Sequence, residues 1–139
     1  MIKNVLLVDD DTEMLHALKE GFKKYQESFA VLLAEDGLQA LKGLKQNIIS
    51  LVVTDLKMPN MDGIQFLEEL RANRSEVPVL IITGYPSIPN AAAAMRLGAC
   101  DYVTKPFTPE EITSALQRVL ATRRFPDVES ESGEDAGLD

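Results

Sequence analysis

Short runs of apolar residues recur along the chain, each followed by polar side chains: Val5 to Val8, Phe29 to Ala34, Ile48 to Val53, Val77 to Ile82, and a weaker run at Tyr102 and Val103. Most are continuous rather than alternating. A strand with one wet face alternates apolar and polar residues, whereas a strand covered on both faces is apolar throughout. The runs therefore read as strands of a parallel sheet with helices on both sides, an α/β doubly wound architecture.

Helical patterns fill the gaps. Leu15, Leu18, Phe22 and Tyr25 are spaced by three, four and three residues and share one face of a first helix. A second helix is expected over about Leu38 to Leu44, and a third over about Ile64 to Leu70. A fourth, near Ala91 to Leu97, opens with four alanines and should stop at Gly98. In the fifth, Thr108 caps the start, Pro109 suits the first turn and Glu111 completes a Thr-x-x-Glu capping box, with Ile112, Leu116 and Val119 facing inward.

Charge separates the body from the end of the chain. The 139 residues carry a formal charge of −8. Residues 125–139 hold six acids and no base, which leaves sixteen acids against fourteen bases in residues 1–124, a net of −2. One domain over 1–124 and a disordered acidic tail or linker over 125–139 are expected. The acidic balance argues against nucleic acid or an anionic membrane as a partner. The N-terminus does not resemble a signal peptide, no apolar run approaches membrane-spanning length, and Cys100 is the only cysteine, so a soluble, cytoplasmic protein is expected.

In an open α/β sheet, ligands bind beyond the carboxyl ends of the strands. Those ends are polar here: Asp9, Asp10 and Asp11 after the first strand, Thr54 and Asp55 after the third, Thr83 and Gly84 after the fourth, Thr104 and Lys105 after the fifth. Read singly, each has an ordinary account. The acid run suits the positive end of the first helix, Asp55 could cap a turn, Lys105 could be solvated surface, and Thr83 could be a strand residue. Their joint placement points to a site. Carboxylates about 4 Å apart repel by roughly 1 kcal/mol in water and about 4 kcal/mol at an effective dielectric of twenty, so a cluster of them needs a cation. Oxygen donors without histidine or cysteine suit magnesium better than zinc.

These residues resemble the response-regulator receiver domains of two-component signalling, a group that includes the chemotaxis regulator and the domains that begin nitrogen-regulator-type transcription factors. The resemblance spans residues 3 to about 122. It rests on LLVDDD at 6–11, VVTDLKMPNMDG at 52–63, VPVLIITGYP at 77–86 and DYVTKPF at 101–107. It implies a flavodoxin-like (βα)5 fold with strand order 2-1-3-4-5. It also implies that Asp55 is the phosphate acceptor, that Asp9, Asp10, Asp55 and the Lys57 backbone carbonyl bind magnesium, with manganese as substitute, and that Lys105 pairs with Asp55 or the phosphoryl oxygens. Gly84 would leave room for that group. By the same resemblance Thr83 and Tyr102 form a switch acting on the face made by the fourth helix, fifth strand and fifth helix, which would include Ala91 and Met95. Lys57 and Tyr85 would tune the lifetime of the phosphoryl group by hindering water, and Lys105-Pro106 would be a cis peptide. Met58-Pro59 and Gly63 fit the loop after Asp55, although ordinary turn chemistry accounts for them too.

The implied partners are a sensor histidine kinase or phosphotransfer protein upstream, and a downstream protein or a further output domain, with a homodimer through the same switching face as one arrangement. The chain would catalyse its own phosphorylation and dephosphorylation. Pro86 and Pro89 depart from the commonest pattern in the loop before the fourth helix and restrict its backbone. His16, the only histidine, reads as helical surface. A haloacid-dehalogenase-like phosphatase is the enzyme rival: Asp9 and Asp11 fit its Asp-x-Asp-x-Thr, but Glu13 stands where threonine is required. A receiver used for docking or dimerisation without phosphorylation is the second rival, and the front part of a longer regulator is the third.

Overall fold

A computed structural model of the chain describes residues 3–25, 29–73 and 75–122. Strands and helices alternate as β1 (Lys3–Val8), α1 (Thr12–Tyr25), β2 (Phe29–Ala34), α2 (Gly37–Gln46), β3 (Leu51–Thr54), α3 (Gly63–Ala72), β4 (Val79–Thr83), α4 (Ile88–Arg96), β5 (Asp101–Thr104) and α5 (Pro109–Thr122). The strands form one parallel sheet in the order β2-β1-β3-β4-β5. This is the expected flavodoxin-like topology.

Successive residues of a strand point to opposite faces, which accounts for the apolar runs. Leu6, Val8, Val52, Val79 and Ile81 share one core with Ala40 of α2, Phe66, Leu67 and Leu70 of α3, and Ala94 of α4. Val5, Leu7, Leu51, Val53, Leu80 and Ile82 share the other with Leu15, Leu18 and Phe22 of α1 and Ile112, Ala115 and Val119 of α5. Both faces of the sheet are dry along the central strands β1, β3 and β4, so a polar residue at either position there would be buried. Half-buried Cys100 packs against the second core.

Several boundaries differ from expectation, each for a tertiary reason. Ile48 lies outside β3 and is 54% exposed, because the β1–β3 pairing begins at Val5 and Leu51. Its carbonyl instead accepts a hydrogen bond from the Asn4 side chain at 2.8 Å. Val77 and Pro78 precede β4; Pro78 has no N–H, and its carbonyl accepts from Val52 N–H at 3.0 Å. Helix α4 starts at Ile88 rather than near Ala91, since Ser87 caps it through the Asn90 N–H and Pro89 sits in the first turn, where its missing N–H is not needed. Gly98 ends that helix with φ +88°. The Thr108–Glu111 box forms as expected, with Thr108 N–H donating to Glu111 Oε1 at 2.7 Å and Glu111 N–H to Thr108 Oγ1 at 3.2 Å. The tail at 125–139 lies outside the described residues, as do the side chains of Tyr25 and Leu116.

One residue without a sequence signal joins three elements. From the last turn of α3, Arg71 donates to Leu97 O (2.7 Å) and Gly98 O (3.4 Å) at the end of α4, and to Ser75 O (2.9 Å) and Val77 O (3.1 Å) before β4. Arg71→Met, which keeps the stem, is expected to lower stability by about 2 kcal/mol, the scale of losing hydrogen bonds to a charged group. Urea unfolding reads this, and Arg71→Lys should recover less than half, because one ammonium cannot span both sets of carbonyls as a planar fork does.

Candidate functional site

The carboxyl ends of β1, β3, β4 and β5 open into one cleft of about 480 Å³, lined by Asp9, Asp10, Asp11, Asp55, Lys57, Gly84, Tyr85 and Lys105. The ladder itself positions the acids. Asp9 N–H donates to Ala34 O and Asp55 N–H to Val8 O, each at 3.0 Å, so both residues are held at the sheet where it gives way to loops. Asp9 is buried, and its Oδ1 accepts from Asp11 N–H at 3.0 Å. Asp55 is buried as well, its Oδ1 accepting from Leu56 N–H at 2.6 Å and Lys57 N–H at 3.3 Å. That leaves Oδ2 of both residues for Lys105, whose Nζ lies 2.7 Å from Asp9 and 3.0 Å from Asp55.

Burial pushes the Asp9 carboxyl above its usual range, more strongly than the hydrogen bond from Lys105 pulls it down. For Lys105, burial favours loss of the proton, but the hydrogen bonds to Asp9 and Asp55 and the charges of both acids outweigh it and hold the ammonium above 10.5. One ammonium thus serves two buried carboxylates.

Asp10 is exposed, yet carboxylate oxygens of Asp9, Asp10 and Asp55 all lie within 4.8 Å of one another. With all four groups ionised, Asp9, Asp10, Asp55 and Lys105 carry a net −2. A hard dication fits that donor set and that charge. Asp11 stands apart: its Oδ1 accepts from Met14 N–H at 3.2 Å and serves the start of α1. The acids that cluster are therefore not the pair the dehalogenase pattern requires.

Thr83 ends β4 fully buried, its Oγ1 accepting from Tyr85 N–H at 3.1 Å, and its carbonyl accepts from Lys105 N–H at 2.8 Å. A Cβ at Gly84 would meet only the Lys105 stem, at 3.7 Å. The Lys105-Pro106 peptide is cis. Lys57 Nζ lies 4.9 Å from the centre of the Tyr85 ring, a cation–π contact across the rim of the cleft. Tyr102 is half-buried against the core under α4, and its hydroxyl is buried without a hydrogen-bond partner among the described residues. His16 is exposed on α1.

Sequence reasoning missed Asp36 and Asn60. Asp36 is buried and caps α2 through Gln39 N–H at 2.9 Å, while its other oxygen accepts from Asn60 Nδ2 at 2.7 Å. An Asp-Gly before an apolar pattern signals the cap; nothing local signals the bond to Asn60.

This fold and this constellation define a receiver domain. The sequence matches the response regulator receiver domain family over residues 5–117, and the chain belongs to that family, the phosphorelay module of two-component signalling. Among curated proteins it is 36% identical over 130 residues to transcriptional regulatory protein ZraR of Escherichia coli K12, covering 91% of this chain and 28% of that protein. It is 34% identical over 117 residues to transcriptional regulatory protein FixJ of Bradyrhizobium diazoefficiens, covering 84% of this chain and 56% of that one. The chain thus spans about a quarter to a half of these relatives. Among solved structures, a CheY-like receiver domain from Methanospirillum hungatei superimposes with TM-score 0.78 at 28% identity, over 84% of this chain and 92% of that one. FixJ-N gives 0.75 at 30%, over 89% and 98%. Among the described residues, no helix is long and apolar enough to cross a membrane.

Proposed function

We propose that Asp55 accepts a phosphoryl group from the phosphohistidine of a sensor kinase or phosphotransfer protein. The observation that supports this best is the bridging of Asp9 and Asp55 by Lys105 within a three-carboxylate cluster at the end of the sheet. An Asp55 carboxylate oxygen attacks phosphorus in line, and its new O–P bond forms as the P–N bond to the donor imidazole breaks. The electron pair leaves with the imidazole. Leu56 and Lys57 N–H groups hold Oδ1, so Oδ2 is the oxygen that reacts as Lys105 shifts from it to the phosphoryl oxygens. Magnesium, or manganese in its place, would be held by Asp9, Asp10, Asp55 and the Lys57 carbonyl, and would neutralise charge on the phosphoryl oxygens.

In this reading Thr83 turns its hydroxyl from Tyr85 N–H toward the phosphorylated Asp55. Tyr102, whose hydroxyl has no partner among the described residues, follows, and the face of α4, β5 and α5 with Ala91 and Met95 changes for a downstream protein, a linked output domain or a second copy of the chain. The Lys57–Tyr85 contact narrows the cleft to water and lengthens the phosphoryl lifetime. The domain proper spans residues 1–124, with 125–139 as tail or linker, and works in the cytoplasm.

Intact mass after incubation with acetyl phosphate tests the acceptor reading. A gain of one phosphoryl group is expected in wild type with magnesium, and none with chelator or in Asp55→Ala. A gain that survives in Asp55→Ala means another nucleophile. No gain in wild type, with acetyl phosphate or with kinase phosphodonors, leaves a docking receiver.

A further inference from the structure

The turn after Asp55 holds the N–H groups of Leu56 and Lys57 on the Asp55 carboxylate, and it carries the Lys57 carbonyl that the acceptor reading assigns to the metal. Its own geometry does not favour this. Met61 N–H donates to Pro59 O at 2.7 Å, closing a three-residue turn around Asn60, whose φ is +66°. A turn of that size and hand is rare and strained for a residue with a side chain.

What restrains it comes from the connection between β2 and α2. Asn60 Nδ2 donates to Asp36 Oδ2 at 2.7 Å, and Gly37 N–H donates to Met61 O at 3.2 Å. Gly37 permits the approach, since a Cβ there would stand 2.7 Å from Met61 Cγ and 2.9 Å from Met61 O. Asp36 is itself fixed, because its Oδ1 caps α2. We propose that Asp36 and Asn60 form a latch that positions the turn after Asp55, so that a pair remote from the acceptor sets metal affinity and phosphorylation rate. The inference rests on the acceptor reading of the Asp55 cluster; Asp36 and Asn60 are positioning residues and touch no reacting atom.

The pair offers a reciprocal test. Asn60→Asp places two carboxylates face to face and breaks the latch, while aspartate still tolerates the left-handed backbone. Asp36→Asn/Asn60→Asp restores one amide donating to one carboxylate, and asparagine caps α2 as well as aspartate does. Asn60→Gly favours the backbone conformation but removes the side chain. In metal-free protein, hydrogen exchange of the 56–63 amides is expected to rise about tenfold in Asn60→Asp and Asn60→Gly, the scale of one hydrogen bond to a charged group, and to return to wild type in the double variant. Magnesium titration should show the same pattern, about tenfold weaker in both single variants and recovered in the swap, with phosphorylation slowed at limiting magnesium.

Unchanged exchange and affinity in Asn60→Asp, loss that the swap does not repair, or a wild-type-like Asn60→Gly would each overturn the latch. If wild type takes no phosphoryl group while exchange and metal affinity follow the pattern, the acceptor reading fails and the latch stands.

Discussion

Lys105→Met is expected to slow phosphorylation of Asp55 by roughly 10²–10³-fold, the loss found when one preorganised donor to developing charge is removed, while binding magnesium more tightly than wild type. The opposite signs follow from one distance pair. Lys105 Nζ sits 2.7 Å from Asp9 and 3.0 Å from Asp55, so it holds oxygens that a dication would also take. Removing it leaves a cluster of formal charge −3 without the ammonium that competes for those oxygens, and magnesium affinity should rise by about tenfold or more. Without metal the same change strands two buried carboxylates. Breaking a buried pair by removing one partner costs roughly 3–5 kcal/mol, and the lower end applies because the Lys105 side chain retains 18% exposure. Added magnesium should therefore recover more stability in the variant than in wild type, read as a larger rise in melting temperature. Phosphorylation at the wild-type rate would show that Lys105 never reaches the transferred group.

The alkaline limb gives a further check on the same residue. Because the Lys105 pKa is raised above 10.5 in the fold, its contribution is fully present below pH 10.5 and is lost as pH climbs through the higher native value. Wild type should lose that stability in urea titrations above pH 10.5. Lys105→Met has nothing there to lose, so the difference between the two proteins shrinks.

Gly63→Ala is the second large effect. A Cβ on Gly63 would overlap the Asp55 carbonyl oxygen and stand 2.8 Å from Leu56 Cα. Neither atom can give way as the end of a side chain would. Asp55 N–H is bound to Val8 O at 3.0 Å, and Gly63 N–H to Leu56 O at 2.8 Å, so the start of α3 is pinned against the end of β3. Overpacking of this kind costs about 1–3 kcal/mol, and backbone obstacles place it at the upper end. Any relief moves Asp55 itself, and a shift near 1 Å at a reacting group costs on the order of 10² in rate. Urea unfolding and the initial rate of mass gain measure the two effects separately. Wild-type behaviour in both would mean that α3 slides away from β3 without disturbing the acceptor.

Much of this was legible in the chain itself. Continuous apolar runs announced strands covered on both faces, and the polar residues after them, Asp9, Asp55, Thr83 and Lys105, announced where the cleft would open. The Thr108–Glu111 box and the stop at Gly98 were readable because their signals are local, whereas the equally local caps of Ser87 on Asn90 and Asp36 on Gln39 were passed over. Strand ends were less so: Ile48 and Val77 are as apolar as the residues that follow them, and only pairing with the adjacent strand excludes them from the ladder.

The family motifs supplied the roles proposed for the strand-end residues, but not the contacts that hold them. Asp36 with Asn60, Arg71 with the end of α4, and Lys105 with Asp9 join residues 24, 26 and 96 positions apart. Local pattern reports backbone preference and average burial along one element. Which side chains meet across elements depends on strand register and helix packing, and those exist only once the whole sheet has closed its two cores.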